Sequence, residues 1–178
     1  MAALTRPNKI IMHWSGGPNI VTDLDREHYH FITDGSGKTQ AGLNKPEANN
    51  DTTDGNYSAH TRGANTGAIG VSMAGMGNAV ERPFRAGDYP LTEVQVKAFC
   101  AHVADLCDLY GIPVTRKTVL THAEVQPTLG IRQNGKWDVN WLPGMKAPVD
   151  PVEAGDELRE RIAFALATIK TSTKGWLK

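Results

Sequence analysis

The chain has 178 residues, enough for one domain with a sizeable core. Its 19 Lys and Arg balance its 19 Asp and Glu, so it lacks the basic excess of a chain built to ride on nucleic acid or anionic lipid. No apolar run approaches the ~18 residues of a membrane span, and the opening MAALTRPNKIIMHWSGG lacks the ~7–15-residue apolar stretch of a secretory signal, so the expectation is synthesis in the cytoplasm without membrane insertion.

Lys9 to Trp14, KIIMHW, is a short apolar run between Pro7-Asn8 and Ser15-Gly16-Gly17-Pro18, which predicts a buried strand with a sharp exit. His13 lies at its carboxyl end, where α/β sheets gather ligands. Taken alone, it reads as a hydrogen-bonded core histidine. Asn19 to Glu27 is short and polar, with room for one or two helical turns. HYHFIT (28–33) and KTQAGL (38–43) flank Asp34-Gly35-Ser36-Gly37, the pattern of a β-hairpin. Alternation puts Tyr29, Phe31 and Thr33 on one face and His28, His30 and Ile32 on the other. Asn44 to Tyr57 is a polar loop, long enough to suggest function or mobility, and Ser58 to Thr66 continues it.

AIGVSMA (68–74) is small and apolar on both faces, as a central strand is. A second long loop, Gly75 to Tyr89, follows. Thr92 and Gln95 form a capping box, and Val96, Phe99, Val103, Leu106, Cys107 and Tyr110 recur at helical spacing until Gly111 and Pro113. His102 lies beside that face and reads as packing. Cys100 and Cys107 share the helix about 10 Å apart along its axis, beyond the ~7 Å reach of a disulfide, so both read as buried thiols. Lys117 to His122 is a further strand. The stretch it opens, THAEVQPTLGIRQNGKWD (121–138), has a histidine at the strand end, a Pro/Gly/Asn loop, then Lys136, Trp137 and Asp138. His122 and Asp138 are ligand types that suit zinc, and Lys136 places a positive charge where an oxyanion could develop. Asp150-Pro151-Val152-Glu153 starts a helix to 169 with Leu158, Ile162, Leu166 and Ile169 as its stripe. Residues 171–178 read as a short polar tail, frayed, with one Trp.

These pieces resemble a family. SAHTRGANTGAIGVSMAG (58–75) is similar to the central motif of the type 2 N-acetylmuramoyl-L-alanine amidases, which include phage lysozymes of amidase type and animal peptidoglycan recognition proteins. IIMHWS (10–15) resembles the first-strand motif, HYHFIT the strand carrying the catalytic tyrosine of phage members, LTHAEV (120–125) the strand carrying the second histidine, and Lys136-Trp137-Asp138 the closing motif. The likeness spans Asn8 to Gly144, and the order of five motifs is more specific than any one.

The resemblance implies one α/β domain, 1–170, with a mixed central sheet flanked by helices. It implies one zinc per chain on His13, His122 and Asp138. Tyr29 would orient or deprotonate the attacking water, Lys136 would stabilise the oxyanion, and His60 and Asn65 would take substrate-binding or supporting roles. The implied substrate is peptidoglycan or its muramyl peptides, cut between the lactyl group of N-acetylmuramic acid and L-alanine. Three departures stand out: Ser72 where some members carry a glutamate base, Val139 where proline is usual, and a long 122–136 loop. The expected role is a phage-type endolysin, monomeric, reaching the wall through a membrane hole. The alternatives are a delivered amidase effector, a muropeptide-recycling amidase, and a peptidoglycan-binding protein without activity.

Overall fold

A computed structural model describes residues 6–174. The strands are β1 (Lys9–Trp14), β2 (Phe31–Thr33), β3 (Thr39–Ala41), β4 (Ala68–Met73) and β5 (Val119–Thr121); the helices are α1 (Asp23–His28), α2 (Glu93–Tyr110), α3 (His122–Leu129) and α4 (Pro151–Lys174). The sheet order is β3-β2-β4-β1-β5. β1 runs parallel to β4 and β5, β2 runs parallel to β4, and β3 closes the hairpin antiparallel to β2. The sheet is therefore mixed, and β4 is its middle strand, with all six residues buried.

The main core lies between the sheet and the α2/α4 pair. Val96, Phe99 and Val103 of α2 and Leu158 and Ile162 of α4 pack against Ile10, Met12, Ile69 and Val71 of β1 and β4. Both cysteines are buried in α2 and free. Thr92 caps α2 with Gln95 returning the bond, and Gln95 then donates to the carbonyls of Thr33 and Ala74 at 2.8 Å, tying the helix to the sheet. The His102 ring packs on Phe31, 4.7 Å between centroids.

Three expectations need correction. HYHFIT is not one strand. Thr22 and Asp25 form a capping box that starts α1, the helix runs through His28, and Tyr29 is its extended C-cap. Only Phe31 to Thr33 enter the sheet. The stretch after His122 is not a loop at first. Thr121 and Glu124 form a third capping box, so His122 is the first residue of α3, which ends at Gly130 in the left-handed conformation. Finally, α4 continues to Lys174 instead of stopping at 169. Of the predicted polar tail, residues 175–178 lie outside the described residues.

Candidate metal centre and cleft

Parallel strands β1 and β5 bring two carboxyl ends side by side. His13 sits at the end of β1, and His122 follows the last residue of β5. Asp138 reaches the same point from the other direction, held by its own backbone: the Ala123 N–H donates to the Asp138 carbonyl at 2.6 Å. The peptide after it, Asp138–Val139, is cis. One carboxylate oxygen, Asp138 Oδ2, lies 3.0 Å from His13 Nδ1 and 3.1 Å from His122 Nδ1. All three side chains are buried.

The network behind the histidines fixes their tautomers. Gln133 uses its amide N–H groups on the carbonyls of Arg62 (2.9 Å) and Ile131 (3.4 Å). Its Oε1 therefore faces His122 Nε2 at 2.8 Å and must accept a proton from it. That leaves His122 Nδ1 bare. Similarly, His60 Nε2 donates to the Ala68 carbonyl at 3.4 Å, so His60 Nδ1 accepts from His13 Nε2 at 3.3 Å, with the Thr61 hydroxyl beside both. That leaves His13 Nδ1 bare as well. Two imidazole lone pairs and a carboxylate oxygen then converge on one point with no donor of their own. Such a cluster fits a cation, and two His with one carboxylate is a set that suits hydrolytic zinc.

Electrostatics agree with this. Burial lowers His13 to about 4, outweighing the nearby Asp138 carboxylate, which favours the charged form. It also pushes His60 well down, helped by the neighbouring His13. Asp138 lies at about 2, because the two histidines overcome the burial that would raise it. His13 and Asp138 are thus in their deprotonated forms, as metal binding requires.

Tyr29 packs its ring 5.1 Å from His13. Burial first, then the carboxylates of Asp138 and Asp25, push its phenol upward, against a bond with Ser72. The phenol is thus a hydrogen-bond donor more than a base. Ser72 pairs with His13 across β1 and β4, so the position of the missing glutamate faces the same site. Lys136 lines the cleft with Tyr29, His60, Asn65, His122, Gln133 and Asp138; the cavity is about 630 Å³. Gly70 explains how His60 fits: a side chain there would run into the His60 ring. Asn65 accepts from the backbone N–H groups of His60 and Thr61 at 3.1 and 2.8 Å, so it shapes the loop that holds His60.

Six of the seven sequence-predicted site residues therefore line one cleft, and His13 lies buried directly behind it, against Asp138 and His60. Sequence reasoning missed Gln133, whose only local signal is a polar residue in a turn-rich loop. It also missed the arginines that line the cleft, Arg62 and Arg132. A larger groove of about 900 Å³ lies between α2 and α4, shares no residue with this cleft and is mostly apolar.

The sequence matches the N-acetylmuramoyl-L-alanine amidase family over residues 3–144. Among solved structures it is similar to the N-acetylmuramoyl-L-alanine amidase LysC from Clostridium intestinale URNW, at 19% identity and a TM-score of 0.53, over 89% of this chain and 86% of that one. It is also similar to the Staphylococcus aureus hydrolase AmiA, solved in complex with its ligand, at 14% identity and a TM-score of 0.57, over 91% and 76% of the two chains. At such identities the likeness is one of fold. No curated protein matches. The family match covers most of the chain, and the five motifs that carry it assemble around one cleft: the chain belongs to the type 2 N-acetylmuramoyl-L-alanine amidases.

Proposed function

We propose that the protein is a zinc-dependent amidase that hydrolyses the bond between the lactyl group of N-acetylmuramic acid and L-alanine in peptidoglycan. The observation that carries this reading is the convergence of His13 Nδ1, His122 Nδ1 and Asp138 Oδ2 at the floor of a cleft that also holds Tyr29 and Lys136. A zinc ion held there supplies a Lewis acid that activates water and polarises a carbonyl near neutral pH. Tyr29, protonated, orients the attacking water through its hydroxyl. Lys136 brings a fixed positive charge to the oxyanion of the tetrahedral intermediate, where such a donor is worth most. Arg62 and Arg132 add positive charge to the cleft walls, which suits a stem peptide with free carboxylates. The phage-type tyrosine at position 29 favours the endolysin role, a monomer with one zinc that meets the wall after release from the cytoplasm.

The test is hydrolysis of purified sacculi and of soluble muropeptides, with new L-alanine amino termini measured and metal content determined in parallel. We expect zinc at one per chain, release of L-alanine termini, faster turnover of sacculi, and loss of activity with a strong chelator. Activity that survives complete metal removal would refute the zinc mechanism. Binding of muropeptides with no new amino termini would favour a recognition protein, and a preference for soluble muropeptides a recycling enzyme.

A further inference from the structure

We infer that Arg159 of α4 is a positioning residue for the zinc ligand His122, acting through Glu124. This rests on the zinc reading above. Glu124 is fully buried in the first turn of α3, and Arg159 is 6% exposed. Glu124 Oε2 accepts from the Thr121 N–H at 2.8 Å, one residue before His122. The Arg159 guanidinium grips both carboxylate oxygens, Nη2 to Oε1 at 2.7 Å and Nη1 to Oε2 at 3.0 Å. Nη1 also donates to the Val119 carbonyl at 2.9 Å.

One guanidinium thus ties the strand that precedes His122 to the helix that His122 begins. The turn between them sets where the imidazole points. Asp156, one turn earlier on α4, holds the other side of the guanidinium at 2.8 Å. The helix comes in close because Gly155 lacks a side chain; a Cβ there would run into the Glu124 carboxylate. The α4 side of this clamp, Gly155, Asp156 and Arg159, lies outside the segment the family shares. The family match ends at residue 144, and α4 begins at Pro151. The arrangement makes the C-terminal helix part of the metal centre and not only a cover for the sheet.

A lysine at 159 keeps the charge but, as a point donor, cannot span two carboxylate oxygens and a carbonyl in one plane. An apolar pair of similar volume, Arg159→Met with Glu124→Leu, removes the clamp without stranding a buried charge, a swap that proteins often tolerate. Leu158→Ala, a neighbour on α4 that is fully buried in the core, is the control for loss of stability alone.

The experiment is the zinc dissociation constant of full-length wild type and the three variants, by competition with a chromophoric chelator, at a temperature where circular dichroism finds each folded. We expect Arg159→Lys and the double variant to bind zinc ~10–100-fold more weakly, the range for residues that orient a ligand. Leu158→Ala should melt earlier with its zinc affinity unchanged. A wild-type zinc affinity in folded Arg159→Lys would overturn the inference, even if the double variant fails to fold. So would an equal loss in Leu158→Ala. Wild type that binds no zinc would instead overturn the metal reading on which the inference stands.

Discussion

Replacing Gln133 by leucine isolates the tautomer of His122 from the ligand set itself. In the native protein, Gln133 Oε1 takes the His122 Nε2 proton at 2.8 Å, and both side chains are buried. Leucine fills similar space and offers no acceptor. A buried donor left without a partner costs about 1–3 kcal/mol. The metal-free protein can avoid part of that cost: the proton can move to Nδ1, where Asp138 Oδ2 waits 3.1 Å away. The zinc-bound protein cannot, because it needs Nδ1 bare. The penalty therefore falls on the loaded form. At about 1.4 kcal/mol per tenfold, zinc should bind roughly 10–100-fold more weakly. Chelator competition gives the affinity, and imidazole nitrogen NMR of the metal-free protein gives the tautomer. We expect His122 to carry its proton on Nε2 in wild type and on Nδ1 in the variant. A zinc affinity equal to wild type, with the proton still on Nε2, would refute the argument that Gln133 sets the ligand's tautomer.

Other expectations concern the cleft and its supports. Asp138→Ala should lose both zinc and activity, whereas Tyr29→Phe and Lys136→Ala should keep zinc; their rates should fall by about 10²–10⁴-fold and 10²–10³-fold, measured on sacculi with metal content checked. For Lys136→Ala the loss should appear in kcat with KM little changed, because the charge it serves exists mainly in the transition state. His30 is fully buried, with Nε2 on Asn49 and Nδ1 accepting from the Gly70 N–H, and burial holds it at about 4 against an ordinary 6.5. Between those values the unfolded chain binds the extra proton, so stability should be full above 6.5 and decline as pH falls toward 4, by on the order of 3 kcal/mol from this residue. Urea unfolding across that range should be less pH-dependent in His30→Gln; an unchanged slope would exclude this group. Gly70→Ala should destabilise the protein by about 1–3 kcal/mol through displacement of the His60 ring, and a melting temperature equal to wild type would contradict that packing.

The parts of this fold legible in the sequence are those where one local signal dominates. β1 and β4 are buried on both faces, so their apolar runs mark their extents to within a residue. α2 starts at its capping box and ends at a glycine. The misses have a common cause. Two further capping boxes, Thr22/Asp25 and Thr121/Glu124, were outweighed by neighbouring residues that favour strand or loop: the aromatic HYHF in one case, Pro127 and Gly130 in the other. Tyr29 still reaches the site, as the residue that leaves a helix and not as a strand residue. The ligands were legible because their chemistry is local and their motifs ordered. Gln133 and Arg159 were not, because each acts only through a partner that the fold brings to it, eleven positions away for Gln133 and thirty-five for Arg159.

The hydrogen bond from Arg159 to the Val119 carbonyl also bears on how copies of this protein meet one another. β5 is an edge strand, and an edge with free carbonyls invites pairing with another chain. Here a guanidinium occupies one of those carbonyls, and the strand is only three residues long. The opposite edge, β3, is equally short, with Gln40 and Ala41 exposed and Lys38 before it. Neither edge offers the long, flat, apolar template on which sheets add strands. The protein should therefore stay dispersed when concentrated, without growing end to end into fibres.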